Sequence, residues 1–302
     1  MKSQAQDTLE LYQFIGPFAT NVTLRTLFGV NDAALSQDIF KNATIIEQCL
    51  ALQRRGTSAD SDTTEAVHTA ARAALKLNLK EVFVRLLRDR GMALPEFMKN
   101  HKFDAPLPLT LSRTFLNAFA GVATTLTWAM MILCEKQTLQ TSLYDVIGGA
   151  RDHGHNALIR ATLLECLRLY PTAWMMTRKA TRTQKIDAFT LQPGDDVHVC
   201  MYSLHRDPTY WHNPTEFDQQ RFINSSHGMA KDAFAYLPFG AGPHRCVGEK
   251  FAMLMMSVTL GELIKNFHWQ SSNLNDATPF PFVALRPIPG AHVSIAERMP
   301  HA

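Results

Sequence analysis

Cysteine is scarce in this 302-residue sequence, and no two cysteines have the spacing of a metal or dithiol motif. The five cysteines are odd in number, far apart and never arranged as Cys-x-x-Cys: Cys49, Cys134, Cys166, Cys200 and Cys246. This pattern argues against a zinc ribbon, a dithiol redox motif and a disulfide scaffold, and it favours a reducing compartment.

The sequence also has no large excess of positive over negative charge. The chain has 30 Lys and Arg against 27 Asp and Glu, a formal net charge of +3. No dense run of Lys and Arg with interleaved aromatic residues occurs, so we expect no nucleic-acid partner. With 46% hydrophobic and 19% charged residues, and with 15 Gly and 15 Pro, the composition is that of a folded globular protein.

Long hydrophobic runs are limited to one uncharged segment, 114–134. A membrane-spanning helix needs about 20 apolar residues, so the length alone would allow a span. The run nevertheless contains Asn117 and three threonines, Thr124, Thr125 and Thr127, and the sequence has no comparable second run. The N-terminal residues also lack the apolar core of a signal peptide. We therefore expect a helix buried in the protein, no membrane contact and a cytoplasmic location.

Hydrophobic spacing, caps and breakers predict a mainly helical chain with a small β portion. Helices are expected from Asn31 or Asp32 to Gln53, and at 63–90, 105–136, 156–170 and 248–266. Asp62 and Glu65 have the spacing of a capping box, and 54–58 has the composition of a loop. Short strands are expected at 189–191, 197–202, 282–285 and 292–296. Because no internal repeat or linker is visible, we expect a single domain over 1–302.

The most distinctive segment is a glycine-rich loop with one cysteine, FGAGPHRCVG, at 239–248. Glycine has no Cβ and lets a backbone approach a flat ligand closely. The predicted helix after Cys246 would stabilise a thiolate at its N-terminus. A thiolate with no second Cys or His at metal-site spacing suits haem iron, which can take one axial cysteine. The alternative is an ordinary glycine-rich turn with a buried cysteine.

Two further features carry charge. Glu165 and Arg168 are three residues apart in a predicted helix, so they share one face and can pair. The alternative is a surface ion pair of little energetic value. Downstream, Arg221 lies in the segment Gln220-Arg221-Phe222, which follows a stretch with proline and aromatic residues.

Together with Ala120-Gly121-Val122-Ala123-Thr124-Thr125 in the uncharged helix, these segments resemble the cytochrome P450 family, in which the same motifs occur in the same order. The resemblance runs over essentially all 302 residues. It corresponds only to the C-terminal portion of the usual catalytic domain. It therefore implies a cytochrome P450 fold, mainly α with a small β portion, that is N-terminally truncated.

The resemblance implies a haem b cofactor with Cys246 as its iron ligand. Arg178 and His244 would hold the haem propionates, since both can be cationic donors. Phe239 would shield the side of the haem that faces the thiolate. The loop positions implied in cofactor binding are Phe239, Gly240, Gly242, His244, Cys246 and Gly248. Glu165, Arg168 and Arg221 would form a buried ion-pair network that supports this loop.

The same resemblance implies that the uncharged helix lies on the face of the haem where O2 would bind. Gly121 would let the helix pass close over the iron, Thr124 would offer a hydroxyl to bound oxygen, and Ala120 belongs to the same implied site. Thr125 follows Thr124 on the helix, and for both threonines the alternative is a hydrogen bond to a preceding carbonyl. The family usually has an acidic residue directly before this threonine, where this chain has Ala123.

These implied roles lead to one expected function and two alternatives. The expected function is a monooxygenase that inserts one atom of O2 into a small apolar organic substrate. Its electrons would come from a separate donor such as a ferredoxin or flavodoxin, steered by Lys231, Arg245 and Lys250. Ala123 favours instead an enzyme of the same fold that uses peroxide or rearranges an oxygenated substrate. The missing N-terminal part favours a non-catalytic haem-binding or haem-free remnant.

Overall fold

Helices make up most of the residues that the computed structural model describes, which are 8–55, 61–89, 107–148, 156–223, 232–281 and 283–298. In chain order they are α1 (Leu11–Phe28), α2 (Ala33–Arg55), α3 (Ser61–Asp89), α4 (Leu107–Glu135), α5 (Gln137–Gly148), α6 (Ala157–Leu169), α7 (Met201–Leu204) and α8 (Glu249–Asn266). Single 3-10 turns lie at Gln219–Phe222, Ala233–Ala235, Gly242–His244 and Leu274–Asp276.

The strands are short and form small sheets. They are β1 (Thr8–Glu10), β2 (Met175–Lys179), β3 (Gln184–Ile186), β4 (Phe189–Leu191), β5 (Asp196–Cys200), β6 (Phe267–Ser272), β7 (Thr278–Pro281), β8 (Leu285–Ile288) and β9 (His292–Glu297). One sheet has the order β1-β9-β6, with Thr8 opposite Ser294 in an antiparallel pair. The pairs β2 with β5, β3 with β4, and β7 with β8 are antiparallel two-stranded sheets. The predicted fold class, mainly α with a small β portion, is confirmed.

Contacts within the chain fall into two compact units. The first unit is Met1–Met131 with Trp269–Ile295, and the second is Ile132–His268 with Ala296–Ala302. The cysteine loop and α6 belong to the second unit, whereas Ala120 through Thr125 of α4 belong to the first. The expectation of a single domain over 1–302 stays a prediction.

The uncharged helix α4 is buried over most of its C-terminal part. Among the described residues, one helical window, Ala118–Glu135, is long and apolar enough to span a membrane, and 83% of that window is buried inside the structure. Trp128 is fully buried, and its indole Nε1 donates a hydrogen bond of 2.8 Å to the Leu285 carbonyl of β8. This is the burial expected for a core helix.

Helix boundaries follow local capping where a cap is present. Asp32 accepts the Leu35 amide at 2.9 Å and starts α2, as one of the two predicted caps. Asn156 accepts the amides of Leu158 and Ile159 and starts α6. That helix ends at Leu169, before Pro171, because proline cannot continue the hydrogen-bond ladder.

Several predicted helix boundaries were wrong. Helix α2 continues through Arg55, so Arg54 and Arg55 are helical rather than loop. Helix α3 begins at Ser61, so Asp62 lies inside its first turn and not before it, where the predicted capping box would place it. Helix α5 was not predicted at all. Residues 56–58, Arg90, 105–106 and Phe282 lie outside the described residues.

The predicted strand boundaries also needed correction. Pro281 pairs with Leu285, so Val283 and Ala284 of the predicted strand 282–285 are bend residues between β7 and β8, and Leu285 begins β8. Strand β5 ends at Cys200, and the apolar pair after it, Met201 and Tyr202, begins α7 instead. Strand β2 was missed because its sequence, Met-Met-Thr-Arg-Lys, has no alternation of buried and exposed residues.

Candidate functional site

The cysteine loop, 239–248, has a backbone that requires its glycines. Gly240 and Gly242 have φ of 72° and 67°, in the left-handed region that side-chain-bearing residues rarely adopt. The Cys246 amide donates to the Phe239 carbonyl at 2.8 Å and closes the loop. Gly248 then serves as the N-cap of α8. The sequence therefore places Cys246 three residues before the first residue of a long helix.

Cys246 is the cysteine that the described structure leaves exposed. Cys49, Cys134 and Cys166 are buried, and Cys200 is half-buried. Burial, with the nearby Glu135 carboxylate, raises the pKa of Cys134 to about 12. Burial and the adjacent Glu165 likewise raise the pKa of Cys166 well above its ordinary value. Neither thiol is therefore suited to be a thiolate ligand, and the alternative of a turn with a buried cysteine does not describe Cys246.

Two potential propionate partners lie in the same unit as the loop. His244 is exposed at the end of the 3-10 turn, and Arg178 is exposed on β2. A Cβ on Gly240 would lie 3.5 Å from Met176 Sδ, so β2 runs beside the cysteine loop. Because residues two apart in a strand share a face, Arg178 lies on the same face of β2 as Met176. Its guanidinium donates only to the neighbouring Thr177 carbonyl, at 2.9 Å, among the described contacts.

The Glu165 carboxylate is shared by two arginines in the interior. Arg168 donates to both of its oxygens, at 2.7 and 2.8 Å, and Arg221 Nε lies 3.3 Å from Oε1. The side chains of Glu165 and Arg168 are 0% exposed, and that of Arg221 is 3% exposed. The Asp218 amide also donates to Glu165 at 2.9 Å. The surface-pair alternative is therefore wrong.

Arg168 uses its remaining donors to hold a distant part of the chain. Its guanidinium donates to three backbone carbonyls, those of His205, Pro214 and Glu216, at 2.8, 2.6 and 2.9 Å. It also lies 5.1 Å from the centre of the Trp211 ring, within range of a cation–π contact. The ion pair thus fixes the segment between α7 and the turn at Gln219–Phe222.

Two hydrogen bonds extend this network to the segment before the cysteine loop. The Tyr236 hydroxyl donates to the Leu164 carbonyl of α6 at 2.7 Å. The Leu237 amide donates to His205 Nε2 at 2.9 Å. Sequence reasoning missed His205, Tyr236 and Trp211. Their partners lie far away in sequence, so no local spacing could have indicated them.

The threonines of α4 differ in their hydrogen bonds. Thr125 donates to the Gly121 carbonyl at 2.9 Å, which is the back-bonding alternative raised for it. Thr127 donates likewise to Ala123 at 2.8 Å. Thr124 is completely buried, and its Oγ1 has no hydrogen-bond partner among the described residues. Ala120 and Ala123 are buried beside it, and Gly121 is half-buried. Thr124 therefore has a hydroxyl that the helix itself does not use.

The predicted cationic patch needs revision. Arg245 lies before α8 and donates to both carboxylate oxygens of Glu249, the first residue of that helix, at 2.7 and 2.9 Å. Its charge is thus matched locally. Lys250 is exposed, and Lys231 lies outside the described residues.

Comparison with known proteins agrees with this geometry. The model of the family described as Cytochrome P450 matches residues 97–294. Cytochrome P450 9e2 from Blattella germanica is 31% identical over 180 residues, which are 55% of this chain and 33% of that protein. Lithocholate 6-beta-hydroxylase from Mesocricetus auratus is 34% identical over 165 residues, 51% of this chain and 33% of that protein. The chain thus spans about a third of the length of these curated relatives.

A solved structure extends the likeness to nearly the whole chain. CYP175A1 from Thermus thermophilus superposes with a TM-score of 0.76 at 22% identity, covering 97% of this chain and 69% of that one. At this identity the match shows the fold, whereas the family match over 97–294 shows descent. The chain belongs to the cytochrome P450 family.

Proposed function

We propose that this chain carries the haem-thiolate centre of a monooxygenase that inserts one atom of O2 into a small apolar organic substrate. The observation that carries the proposal is the exposed Cys246, held at the start of α8 by a loop with two left-handed glycines. The relative from Mesocricetus auratus is named as a hydroxylase of lithocholate, which supports this reaction class.

The described residues suit haem b chemically. Cys246 offers one soft ligand, and Arg178 and His244 offer two exposed cation-capable donors for two propionates. Phe239 offers an aromatic ring at the start of the loop. Thr124 Oγ1 is a buried hydroxyl with no partner among the residues that the structure describes, and such a group costs free energy unless a ligand or water bonds to it. When bound, haem would supply oxygen binding and activation.

The chain's own residues would set the conditions for that chemistry. Cys246, as a thiolate, would donate electron density to the iron. The dipole at the N-terminus of α8 would stabilise the thiolate's negative charge. The Thr124 hydroxyl could hold or pass a proton, since its hydrogen-bonding capacity is not consumed within α4.

A peroxide-dependent reaction is the second candidate function, and Ala123 favours it. Ala123 is completely buried and has no titratable group, so it cannot relay a proton next to Thr124. Peroxide already carries the two electrons and two protons that an O2-dependent reaction must acquire separately. A haem enzyme that uses peroxide therefore depends less on a proton relay.

Further parts of the proposal concern partners and location. We propose a separate electron donor such as a ferredoxin or flavodoxin. We also propose a cytoplasmic location, because the scattered cysteines favour a reducing compartment.

The decisive experiment supplies haem to the purified full chain and measures its pyridine-haem content and carbon monoxide difference spectrum. We expect bound haem with a thiolate-type spectrum. Cys246→Ser should abolish that spectrum, whereas Cys200→Ser, at a half-buried cysteine of the same unit, should preserve it. A thiolate spectrum that survives in Cys246→Ser would overturn the assignment. Parallel assays with NADPH plus redox partners and with peroxide would separate the two candidate reactions.

A further inference from the structure

His205 links the ion-pair network to the cysteine loop. It directly follows α7 and is completely buried. Its backbone carbonyl accepts Arg168 Nη1 at 2.8 Å, and its ring Nε2 accepts the Leu237 amide at 2.9 Å. All of these residues belong to the same compact unit. His205 therefore bonds to the ion-pair network through its backbone carbonyl, and to the segment before the cysteine loop through its imidazole ring.

The direction of the Leu237 hydrogen bond fixes the state of the imidazole. A backbone amide can only donate, so His205 Nε2 must be an unprotonated acceptor. The ring proton is then on Nδ1, and the ring is neutral. A charged imidazolium would place two donors, Nε2–H and the Leu237 N–H, against each other.

The surroundings of His205 also oppose a positive charge. The cations that face it are Arg168 from α6 and the adjoining Arg206, and the Tyr236 ring lies 5.1 Å away. Glu165 is the nearby carboxylate, but it is already shared by Arg168 and Arg221. Burial lowers the pKa of His205 to about 4, because it outweighs the backbone groups of Leu167 and Arg168 that raise this pKa, and the two arginine charges lower it further.

Short hydrogen-bonded steps lead from Leu237 to the cysteine. The Leu237 carbonyl accepts the Gly240 amide at 3.0 Å, and the Phe239 carbonyl accepts the Cys246 amide at 2.8 Å. The Leu237 amide is thus the anchored end of the turn that precedes the loop.

We propose that His205 is a positioning residue for the cysteine loop, acting as the neutral acceptor that fixes Leu237 and through it the turn that presents Cys246. This inference rests on the proposed function for its significance, because the loop matters as the holder of Cys246. It does not require His205 to touch the haem.

The test uses three variants of the full chain. His205→Phe keeps a planar ring but removes the acceptor. His205→Gln restores an acceptor oxygen at the reach of Nε2. Tyr236→Phe is the matched control, since it removes the neighbouring hydrogen bond to Leu164 and leaves the Leu237 amide untouched. Amide hydrogen exchange is measured on peptides covering 237–246 and, for reference, 157–169, first without added haem.

We expect His205→Phe to accelerate exchange in 237–246 by about tenfold to hundredfold relative to 157–169, the range expected for an unsatisfied buried amide. His205→Gln should restore most of this protection, and Tyr236→Phe should not affect 237–246 selectively. Equal acceleration in both peptides, or equal exchange in the Gln and Phe variants, would overturn the proposal.

If His205→Phe does not fold, a second measurement that does not use this variant tests the proposal. Local protection of 237–246 in the unmodified protein should fall as the pH approaches about 4, and His205→Gln should not show this loss. The same pH dependence in both proteins would overturn the proposal. Haem-loaded samples then show whether the thiolate-type spectrum follows loop protection. If the unmodified chain binds no haem, the proposed function fails, while the exchange data still decide the role of His205.

Discussion

The carboxylate of Glu165 and the guanidinium of Arg168 form a two-bond ion pair with no exposed side-chain surface. Such a pair is not stabilising merely because it exists, since both charges have been removed from water. The pair matters for the structure because the remaining N–H groups of Arg168 donate to the backbone carbonyls of His205, Pro214 and Glu216. The network therefore joins chain segments that sequence alone leaves independent.

Removal of the carboxylate should destabilise the fold strongly. Glu165→Ala leaves two buried arginines without their shared counterion, and we expect a loss of about 3–5 kcal/mol in the free energy of unfolding. The matched control is Asp196→Asn, which removes the exposed partner of Lys179 and should change stability by less than about 1 kcal/mol. Urea denaturation measures both. A Glu165→Ala protein as stable as the control would contradict the buried network.

Sequence predicted the parts of this site that depend on nearby residues. The three-residue spacing of Glu165 and Arg168 predicted their pairing, and Pro171 predicted the end of the helix that carries them. The glycines at 240 and 242 predicted a loop without Cβ atoms that a flat ligand could approach, whereas their left-handed φ values are a finding of the structure. The contacts of His205 and Tyr236 were not predictable, because their partners lie 32 and 72 residues away. Helix α5 was missed because only Lys136 separates it from α4.

The pH dependence of stability should include a component from His205. Its pKa is about 4 in the folded protein, against 6.5 ordinarily, so the unfolded chain binds more protons between these values. The free energy of unfolding should therefore fall as the pH falls from about 6.5 to about 4, by up to about 3 kcal/mol.

Urea denaturation of the unmodified protein and His205→Gln across this range isolates the effect. Burial raises the pKa of Glu47, so that group contributes a slope of opposite sign, with stability lost as the pH rises. Because Glu47 is present in both proteins, its contribution cancels in the difference. If the free energy of unfolding varied with pH in the same way in both proteins, the pKa of His205 would not differ between the folded and unfolded states.

The two threonines of the α4 motif should respond oppositely to valine. Thr124→Val removes a buried hydroxyl that has no described partner, so the haem-free protein should gain about 1 kcal/mol of stability. Thr125→Val removes a hydrogen bond to Gly121 and should not stabilise. Thermal denaturation gives the comparison. Equal destabilisation by both substitutions would indicate that Thr124 has a structural partner.

Electron delivery should depend on Lys250 more than on Arg245, whose charge is paired with Glu249. Lys250→Glu should slow reduction of the haem-loaded protein by an acidic ferredoxin, with a smaller effect at high salt, because screening weakens steering. Lys265→Glu, at the other end of α8, is the control with the same charge change. Reduction rates that are equal in the two variants, or insensitive to ionic strength, would refute the assignment.

The alanine at position 123 leads to a prediction about the oxidant that the protein uses. Its side chain is buried next to Thr124 and offers neither a proton nor an acceptor. A positioned general acid or base contributes roughly 10²–10⁴ in rate, so its absence should be visible in an O2-dependent reaction. We therefore expect slow, poorly coupled turnover with reductant and O2, and relatively faster turnover with peroxide.

Ala123→Asp should move this balance toward the reductant-driven reaction. The introduced carboxyl would be buried, so its pKa should rise and part of it should be protonated near neutral pH, as a proton donor requires. Ala123→Asn has nearly the same shape but no titratable proton, so it controls for packing. We expect the ratio of reductant-driven to peroxide-driven turnover to rise at least about tenfold in the Asp variant alone, as proton transfer resumes. Efficient, tightly coupled O2-driven turnover by the unmodified protein would instead show that another group already relays the protons.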